Sequence, residues 1–390
     1  MKIVFICGSL EPGCDGVGDY VRRLANELIY KGVDTMLIAI HDNYINETTT
    51  GNQKQDTSNI HVVRIPAGLS NKTKLEIVKT WIDNFNPNWL SLQYVPFSFH
   101  AKGFHFGLSD MLKVIGQNIS WHIMIHELWI GIGETFSPKL LVMHILQKKL
   151  ITHLMNDLQP QVIHSHLPLN KARLEKYGFR IKNLPLFSNI EVALKSKDNR
   201  VSKVFKIGFF SQMEINEPIV KFMQLLQCQV EAVGMDFQVV FIGASNKQVL
   251  RLSAEIGKLS CFKNKVKFMG FLQSKKLSLV LKTCSLGITP VPRHALGKSG
   301  SVAAFMSHGI PVAAPVVSPG YSQNDLGFNS YVLCSAIVLT PDLKCFEEAF
   351  QNVQLAKKEI QIDTIAASFL SDLKYATTPK HAINEMESYI

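Results

Sequence analysis

The chain has 390 residues, of which 46% are hydrophobic and 18% are charged, and its formal net charge is +10. This length fits two domains of ordinary size, the composition excludes intrinsic disorder, and no apolar run reaches the roughly 18 residues that a membrane-spanning helix needs. The seven cysteines are scattered without a CxxC pair, which is typical of reduced thiols in a cytoplasmic protein and argues against a disulfide framework or a zinc site.

Short apolar runs alternate with amphipathic stretches along the chain, and this pattern predicts α/β architecture with parallel sheets wrapped by helices. In the first half, the predicted strands are 2–7, 34–40, 60–65, 89–94, 121–126, 160–164 and 181–186, and the predicted helices are 17–31, 72–85, 104–115, 137–157 and 168–177. In the second half, the predicted strands are 204–209, 237–242, 265–269, 284–289 and 311–315, and the predicted helices are 217–232, 246–257, 274–282, 299–308 and 343–358.

A polar stretch at 186–202 interrupts this alternation and has no clear period, so we interpret it as a linker. It separates an N-terminal Rossmann-like domain, 1–190, from a C-terminal Rossmann-like domain, 200–360. The segment 361–380 is predicted to be helical, and the tail 361–390 can pack back on the first domain. Open α/β sheets bind ligands beyond the carboxyl ends of their strands, so the loops that follow strands are the candidate sites.

The loop and helix start at 297–301 have the character of an anion site. Gly297, Lys298, Ser299, Gly300 and Ser301 follow a predicted strand and open a predicted helix of small apolar residues. Backbone N–H groups and the helix dipole at such a position favour a phosphate, and the lysine adds a full positive charge. Simple capping of the helix by Ser299 would use the same groups.

Arg293 and the pair Phe271 and Leu272 also follow strands of the second half. Arg293 can reach the same phosphate as Lys298, or it can be an ordinary cation at the rim. Phe271 and Leu272 can bracket a nucleobase, or they can pack in the core.

In the first half, Gly16 and Gly18 would let a diphosphate or a sugar approach the backbone closely, unless they only form a flexible turn. Asp19 either caps the following helix or orients an acceptor hydroxyl. His126 ends a predicted strand and can bind a hydroxyl group or carry a proton, and Glu127 beside it is a weaker candidate for acceptor binding or base chemistry. No HExxH or comparable ligand spacing occurs, so we expect no metal.

Three of these segments together carry a resemblance to a known family. The stretch Gly16–Leu28, the stretch 268–290 and the stretch 300–312 resemble the GT-B glycosyltransferases, in particular the family-four-like retaining enzymes that use nucleotide sugars. The resemblance covers essentially the whole chain. It implies two Rossmann-like domains facing each other across a cleft, with the nucleotide-diphosphate sugar on the second domain and the acceptor on the first.

The chain departs from the pattern of those enzymes in two places. They usually carry two glutamates with seven residues between them, and Leu296 and Ala304 occupy the corresponding positions here. They also tend to place an arginine and a lysine soon after the first strand of the second domain, where 208–216 has neither. Lys298 and Arg293 would have to supply this charge.

We therefore expect a metal-independent glycosyltransferase of carbohydrate biosynthesis with no cofactor besides its nucleotide-sugar donor. The acceptor class stays open among glycans, lipids, small molecules and proteins, and the oligomeric state is also open. One alternative is a catalytically degenerate binding or regulatory subunit, and another is a phosphorylase or sugar-nucleotide epimerase on the same fold.

The positive net charge suits phosphate-bearing substrates or peripheral contact with the inner face of an anionic membrane, although an ordinary basic surface explains this charge equally well. No basic motif with interleaved aromatic residues is present, so nucleic acid is not an expected partner.

Overall fold

A computed structural model of the chain describes residues 1–55, 58–131, 137–193 and 203–377. These residues divide into two compact units. The first contains Met1–Leu184 and the chain from Ile365 onward, and the second contains Pro185–Thr364. The linker predicted at 186–202 is irregular as far as residue 193, and the rest of it lies outside the described residues, as does the tail beyond residue 377.

The first unit is built on an eight-stranded sheet with the order β3-β4-β2-β1-β5-β6-β7-β8. All neighbouring strands are parallel except β3, which runs antiparallel to β4 at the edge. The strands are β1 (Lys2–Cys7), β2 (Asp34–Asp42), β3 (Thr49–Gln55), β4 (Ser58–Pro66), β5 (Trp89–Tyr94), β6 (Ser120–Ile125), β7 (Val162–Ser165) and β8 (Lys182–Asn183). The helices are α1 (Gly16–Tyr30), α2 (Asn71–Phe85), α3 (Pro96–Phe99), α4 (Leu108–Ile115), α5 (Pro138–Leu158) and α6 (Pro168–Glu175).

Both faces of this sheet are covered, which explains why its central strands are almost continuously apolar. Val4 and Ile6 of β1 belong to the core cluster that also includes residues of α2, α4 and α5. Phe5, between them, stacks on Phe369 at a ring-centroid distance of 6.1 Å. Phe369 lies on α13 (Ile362–Thr377), the last helix among the described residues, so this helix is part of the first unit's core.

The second unit is built on a six-stranded, fully parallel sheet with the order β11-β10-β9-β12-β13-β14. Its strands are β9 (Val204–Phe210), β10 (Asp236–Ile242), β11 (Val266–Met269), β12 (Leu286–Ile288), β13 (Val312–Ala313) and β14 (Ile337–Val338). Its helices are α7 (Glu217–Ala232), α8 (Asn246–Gly257), α9 (Ser274–Leu281), α10 (Gly300–Ser307), α11 (Tyr331–Ser335) and α12 (Leu343–Glu359), and α13 (Ile362–Thr377) leads back into the first unit. A 3-10 turn, Arg293–Lys298, immediately precedes α10.

The structure confirms the predicted α/β class and corrects several elements. Strands β3 and β14 and helices α3 and α11 were not predicted from the sequence. The helix predicted at 104–115 begins only at Leu108, because Gly103 and Gly107 both have positive φ. The strand predicted at 181–186 is reduced to two residues. Among the described residues, no helix is both long and apolar enough to cross a bilayer.

Candidate functional site

In each sheet the order of the strands reverses between two central strands, and the two candidate regions lie at the carboxyl ends of those strands. In the first unit the reversal lies between β1 and β5, and in the second between β9 and β12. Loops that leave a parallel sheet on either side of such a point diverge and create a crevice for a ligand.

The β1 loop of the first unit, residues 8–15, begins with a glycine that the sequence analysis did not single out. A Cβ added to Gly8 would lie 2.5 Å from the carbonyl oxygen of Ser98 on α3. This contact brings the ends of β1 and β5 together at the crossing point of the sheet. A glycine directly after an apolar strand is the signal that could have identified it.

Charged side chains hold the β1 loop in place. Arg64 of β4 donates from Nε to Asp42 Oδ2 at 2.8 Å and from Nη2 to Glu11 Oε2 at 2.6 Å, and the backbone N–H of Leu10 also donates to Asp42. Burial alone would raise the pKa of Asp42, but the hydrogen bonds from Arg64 and from backbone N–H groups lower it below its usual value. The loop is therefore preorganised by ionised groups from β2 and β4, which local sequence patterns did not reveal.

Gly16 and Gly18 were expected to let a ligand approach the backbone closely, but the structure gives the two glycines different surroundings. A Cβ added to Gly18 would lie 2.8 Å from the carbonyl oxygen of Ser9, so this glycine lets α1 pack against its own preceding loop. A Cβ added to Gly16 would meet nothing within 4 Å. The close approach is thus made by the protein at Gly18, and Gly16 is exposed at the first turn of α1.

Asp15, not Asp19, caps α1. The Asp15 side chain accepts from the N–H of Val17 at 2.9 Å. Asp19 accepts from the N–H of Gly13 at 3.0 Å and pairs with the buried guanidinium of Arg22. These contacts tie the β1 loop to the helix, so Asp19 is occupied in holding the loop.

His126 follows β6 as predicted, but it is not presented to solvent. It is only 8% exposed, its Nε2 lies 3.0 Å from Oε1 of Gln93, and its Nδ1 lies 3.3 Å from Nε2 of His166. Burial lowers its pKa well below the usual value, with a smaller contribution from His166, so the imidazole is neutral at pH 7. This corrects the expectation that His126 offers a free nitrogen to a sugar hydroxyl. Glu127 is partly exposed, and its N–H is 3.4 Å from the carbonyl oxygen of Tyr94.

In the second unit, the anion loop adopts the predicted turn and helix start. Ser299 is the N-cap of α10, and its Oγ accepts from the N–H of Val302 at 3.4 Å and lies 3.0 Å from Oγ of Ser301. The first N–H groups of a helix have no partner within it, so those of Gly300 and Ser301 are suited to an anion. Lys298 and Gly300 are exposed, whereas Ser299 and Ser301 are buried.

Two glycines fix the position of α10 on the sheet. A Cβ added to Gly287 of β12 would lie 2.5 Å from the ring of Phe305, and one added to Gly208 of β9 would lie 3.2 Å from that ring. The ring of Phe305 therefore packs directly on β9 and β12, the two strands between which the strand order reverses. Its packing sets the start of α10 at the carboxyl edge of those strands.

Arg293 is not available to a phosphate, which corrects the expectation from the sequence. Its guanidinium donates to three backbone carbonyl oxygens, those of Ala314 at 2.7 Å, Gln323 at 2.9 Å and Leu339 at 3.1 Å. The side chain is buried, and burial lowers its pKa from the usual value without removing its charge. Arg293 thus fastens the loop after β13 to the 3-10 turn.

Phe271 and Leu272 follow β11 and differ from each other. Phe271 is 90% exposed, whereas Leu272 packs against the core cluster of the unit. Only Phe271 can offer an aromatic face to a ligand. The expectation that both residues bracket a nucleobase is therefore corrected for Leu272.

The two positions at which the resembling enzymes carry glutamate are closed to solvent. Leu296 is 1% exposed and Ala304 is 0% exposed, and both belong to the same apolar cluster. A carboxylate at either position would be buried among aliphatic side chains at a large free-energy cost. Across the described residues, no three His, Cys, Asp or Glu side chains are grouped in a way that could hold a metal ion.

Comparisons with solved structures identify the fold. Over 96% of this chain and 99% of the other, the structure is similar to Anabaena HepE in complex with UDP and glucose, with a TM-score of 0.59 and 16% identity. Sucrose-phosphate synthase from Thermosynechococcus elongatus matches over 100% and 98% of the two chains, with a TM-score of 0.53 and 14% identity. UDP-GlcNAc 2-epimerase from Methanocaldococcus jannaschii matches over 96% and 100%, with a TM-score of 0.50 and 11% identity.

These likenesses span both units and show that the chain has the GT-B fold, as the sequence resemblance implied. No protein-family model and no curated protein gives a significant match. At these identities the likeness establishes the fold alone.

Proposed function

We propose that the protein is a glycosyltransferase that moves a sugar from a nucleotide-diphosphate donor to an acceptor without a metal ion. The single observation that carries the proposal is the start of α10, capped by Ser299 at the carboxyl edge of a sheet, within a fold that in HepE is found with UDP and glucose. Retention of the anomeric configuration is part of the proposal by resemblance only.

In this proposal the second unit binds the donor. The N–H groups of Gly300 and Ser301 and the ammonium group of Lys298 face the diphosphate, and stabilising the charge on the departing nucleotide is the main catalytic contribution. Phe271 stacks on the nucleobase. It follows β11, three strands away from β12 in the sheet, which is roughly 14 Å at about 4.8 Å per strand. A ligand that touches both must be extended, as a nucleotide sugar is.

The first unit binds the acceptor along the carboxyl edge of β1, β5 and β6. The β1 loop offers the exposed Gly16, and the loop after β6 offers Glu127. Because Asp42, Arg64 and Asp19 already hold the β1 loop, little ordering entropy is lost when an acceptor binds there.

A second candidate function is a catalytically degenerate subunit that binds nucleotide sugars or a partner protein without turnover. The specific observation in its favour is that Leu296 and Ala304, both buried, occupy the two positions where carboxylates are expected near the donor. An epimerase is the third alternative, since the fold of the M. jannaschii enzyme is the same.

Two measurements separate these functions. The full chain is screened by thermal shift against UDP-, GDP-, ADP-, dTDP- and CMP-linked sugars, because a ligand that binds the folded state raises its melting temperature. The stabilising donor is then incubated with the protein and with candidate acceptors, and the nucleotide and sugar products are identified. Stabilisation with nucleotide release and a new glycoside supports the transferase. Stabilisation without any product supports the degenerate subunit, and a rearranged nucleotide sugar supports the epimerase.

A further inference from the structure

A line of hydrogen bonds connects α13 to the interior of the first sheet. Asp372 on α13 has its Oδ2 2.9 Å from Nε2 of His164 on β7, and its other oxygen pairs with Lys182. Nδ1 of His164 lies 3.0 Å from Nε2 of His122 on β6, and Nδ1 of His122 lies 2.8 Å from Oγ of Ser91 on β5. All the side chains between Asp372 and Ser91 are buried.

The same line continues to the strand ends. The side-chain amide of Gln93 lies 2.8 Å from Oγ of Ser91 and 3.0 Å from Nε2 of His126. Nδ1 of His126 lies 3.3 Å from Nε2 of His166, and Nδ1 of His166 lies 2.7 Å from the carbonyl oxygen of Leu184. The line therefore ends on an acceptor at both ends, a carboxylate and a peptide carbonyl.

The carboxylate of Asp372 fixes the donor-to-acceptor direction of the hydrogen bonds in this line. Burial would raise the pKa of Asp372, but the hydrogen bonds from His164 and Lys182 lower it, so the group is ionised and only accepts. Burial lowers the pKa of His164, so its imidazole is neutral at pH 7 with a single N–H. That N–H must be on Nε2, which leaves Nδ1 of His164 as an acceptor.

Each further link follows from the one before it. His122 must donate from Nε2 to His164, so its Nδ1 accepts the hydroxyl proton of Ser91. Ser91 in turn accepts from the NH₂ group of Gln93, which turns the amide oxygen of Gln93 toward His126. His126 must then carry its proton on Nε2.

The carbonyl oxygen of Leu184 requires the opposite tautomer, Nδ1–H, in His166. His166 must carry its proton on Nδ1 to donate to Leu184, so its Nε2 bears a lone pair. That lone pair faces the lone pair on Nδ1 of His126 across the longest contact in the line. Seven contacts are present, and the neutral side chains supply only six protons for them.

We propose that Asp372 is a positioning residue that sets the Nε2–H tautomer of His126 through His164, His122, Ser91 and Gln93, so that the facing ring nitrogens of His126 and His166 both bear lone pairs. The inference rests on hydrogen-bond geometry and goes beyond the proposed function. Only its relevance to acceptor chemistry depends on that function.

The test is the isosteric substitution Asp372→Asn. The amide of an asparagine can donate to Nε2 of His164, which supplies the seventh proton and permits the five links from residue 372 to His126 to reverse, with the amide of Gln93 turned over. His126 then carries its proton on Nδ1 and donates to His166, and all seven contacts become hydrogen bonds. One additional buried hydrogen bond corresponds to about a fivefold preference for the reversed state.

The measurement is long-range ¹H–¹⁵N NMR of the histidine rings in the full chain at pH 7.5. The expected result is an Nε2–H tautomer for His126 in the unsubstituted protein and an Nδ1–H tautomer in Asp372→Asn. Asp363→Asn is the matched control, because it removes the same charge from an exposed position on the same helix and leaves the tautomer unchanged.

A second variant keeps the proposal falsifiable if tautomers shift for an unrelated reason. Ser91→Ala interrupts the line at its middle, so adding Asp372→Asn to it leaves the His126 tautomer as it is in Ser91→Ala alone. An Nδ1–H tautomer in the unsubstituted protein, an unchanged tautomer in Asp372→Asn, or an equal shift with and without Ser91 would each overturn the proposal. None of these readouts requires activity, so they also distinguish its failure from failure of the proposed function.

Discussion

The guanidinium Nε of Arg293 donates a hydrogen bond of 2.7 Å to the carbonyl oxygen of Ala314, and two further carbonyl oxygens take up its remaining nitrogens. A cation at the start of the 3-10 turn that precedes α10 is therefore used inside the protein. Its loss affects folding rather than phosphate binding.

Arg293→Ala is expected to lower the free energy of unfolding by roughly 3 kcal/mol, because it removes the donor from the buried carbonyl group of Ala314 and breaks two partly buried hydrogen bonds. Urea denaturation measures the change. Lys258→Ala, at an exposed position after α8, is the control and should change stability by no more than about 0.5 kcal/mol. A stable Arg293→Ala protein with weakened nucleotide binding would contradict the structural assignment.

Lys298→Ala is expected to weaken binding of the donor nucleotide sugar by about 1.5–3 kcal/mol, as loss of a charge-assisted hydrogen bond does. The side chain is exposed, so stability should barely change. Isothermal titration calorimetry with the donor found by thermal shift gives the affinity, with Lys258→Ala again as control. Equal affinities of all three proteins would remove this loop from the mechanism.

The neighbours Phe271 and Leu272 should respond in opposite ways. Phe271→Ala is expected to cost about 1–3 kcal/mol of nucleotide affinity through lost stacking, with no loss of stability, because the ring is 90% exposed. Leu272→Ala is expected to lower stability by about 1–2 kcal/mol, less than a fully buried leucine would. Calorimetry and urea denaturation of the two variants separate the effects. Unchanged affinity in Phe271→Ala would exclude stacking on the base.

Gly16 and Gly18 offer a matched pair on one helix. Gly18→Ala places a Cβ 2.8 Å from the carbonyl oxygen of Ser9 and is expected to cost about 1–3 kcal/mol of stability. Gly16→Ala meets open space and should be neutral or stabilise by up to about 1 kcal/mol. Melting temperatures of the two variants test this, and equal destabilisation would contradict the packing described for Gly18.

Acid is expected to destabilise the first unit through its buried histidines. Burial lowers the pKa of His105 and that of His166 to about 4, whereas an unfolded histidine takes up its proton near 6.5. Their contribution to stability is complete above about pH 6.5 and is lost as the pH falls toward 4, by up to about 1.4 kcal/mol per pH unit for each group. Urea denaturation at pH 7.5, 6, 5 and 4.5 measures the slope. A flat profile from pH 6.5 to 5 would refute the prediction.

Elements with a strong local pattern were predictable from the sequence. The strand predicted at 2–7 is Lys2–Cys7, and the helix predicted at 17–31 is Gly16–Tyr30. In both, an apolar run or a helical period coincides with the buried face, so the local pattern and the tertiary packing agree. Strand β3, Thr49–Gln55, is polar and gains its pairing only from β4 at the sheet edge, so nothing in its own residues indicated it.

The candidate site also contains a part that was predictable from the sequence and a part that was not. The helix start at Ser299–Gly300 was predictable, because the small residues, the cap and the preceding strand are neighbours in the sequence. The networks around Asp42 and Asp372 were not, because their partners come from strands and helices that are distant along the chain.

By itself, the sequence determined the alternation of strands and helices and the start of α10 at Ser299–Gly300, since both depend on residues within a few positions of one another. Only the tertiary structure decided that Arg293 is used inside the protein. The carbonyl oxygens of Ala314, Gln323 and Leu339 that accept from it come from positions distant along the chain. A buried guanidinium takes the acceptors that the fold delivers to it, and that delivery depends on long-range packing that no local pattern records.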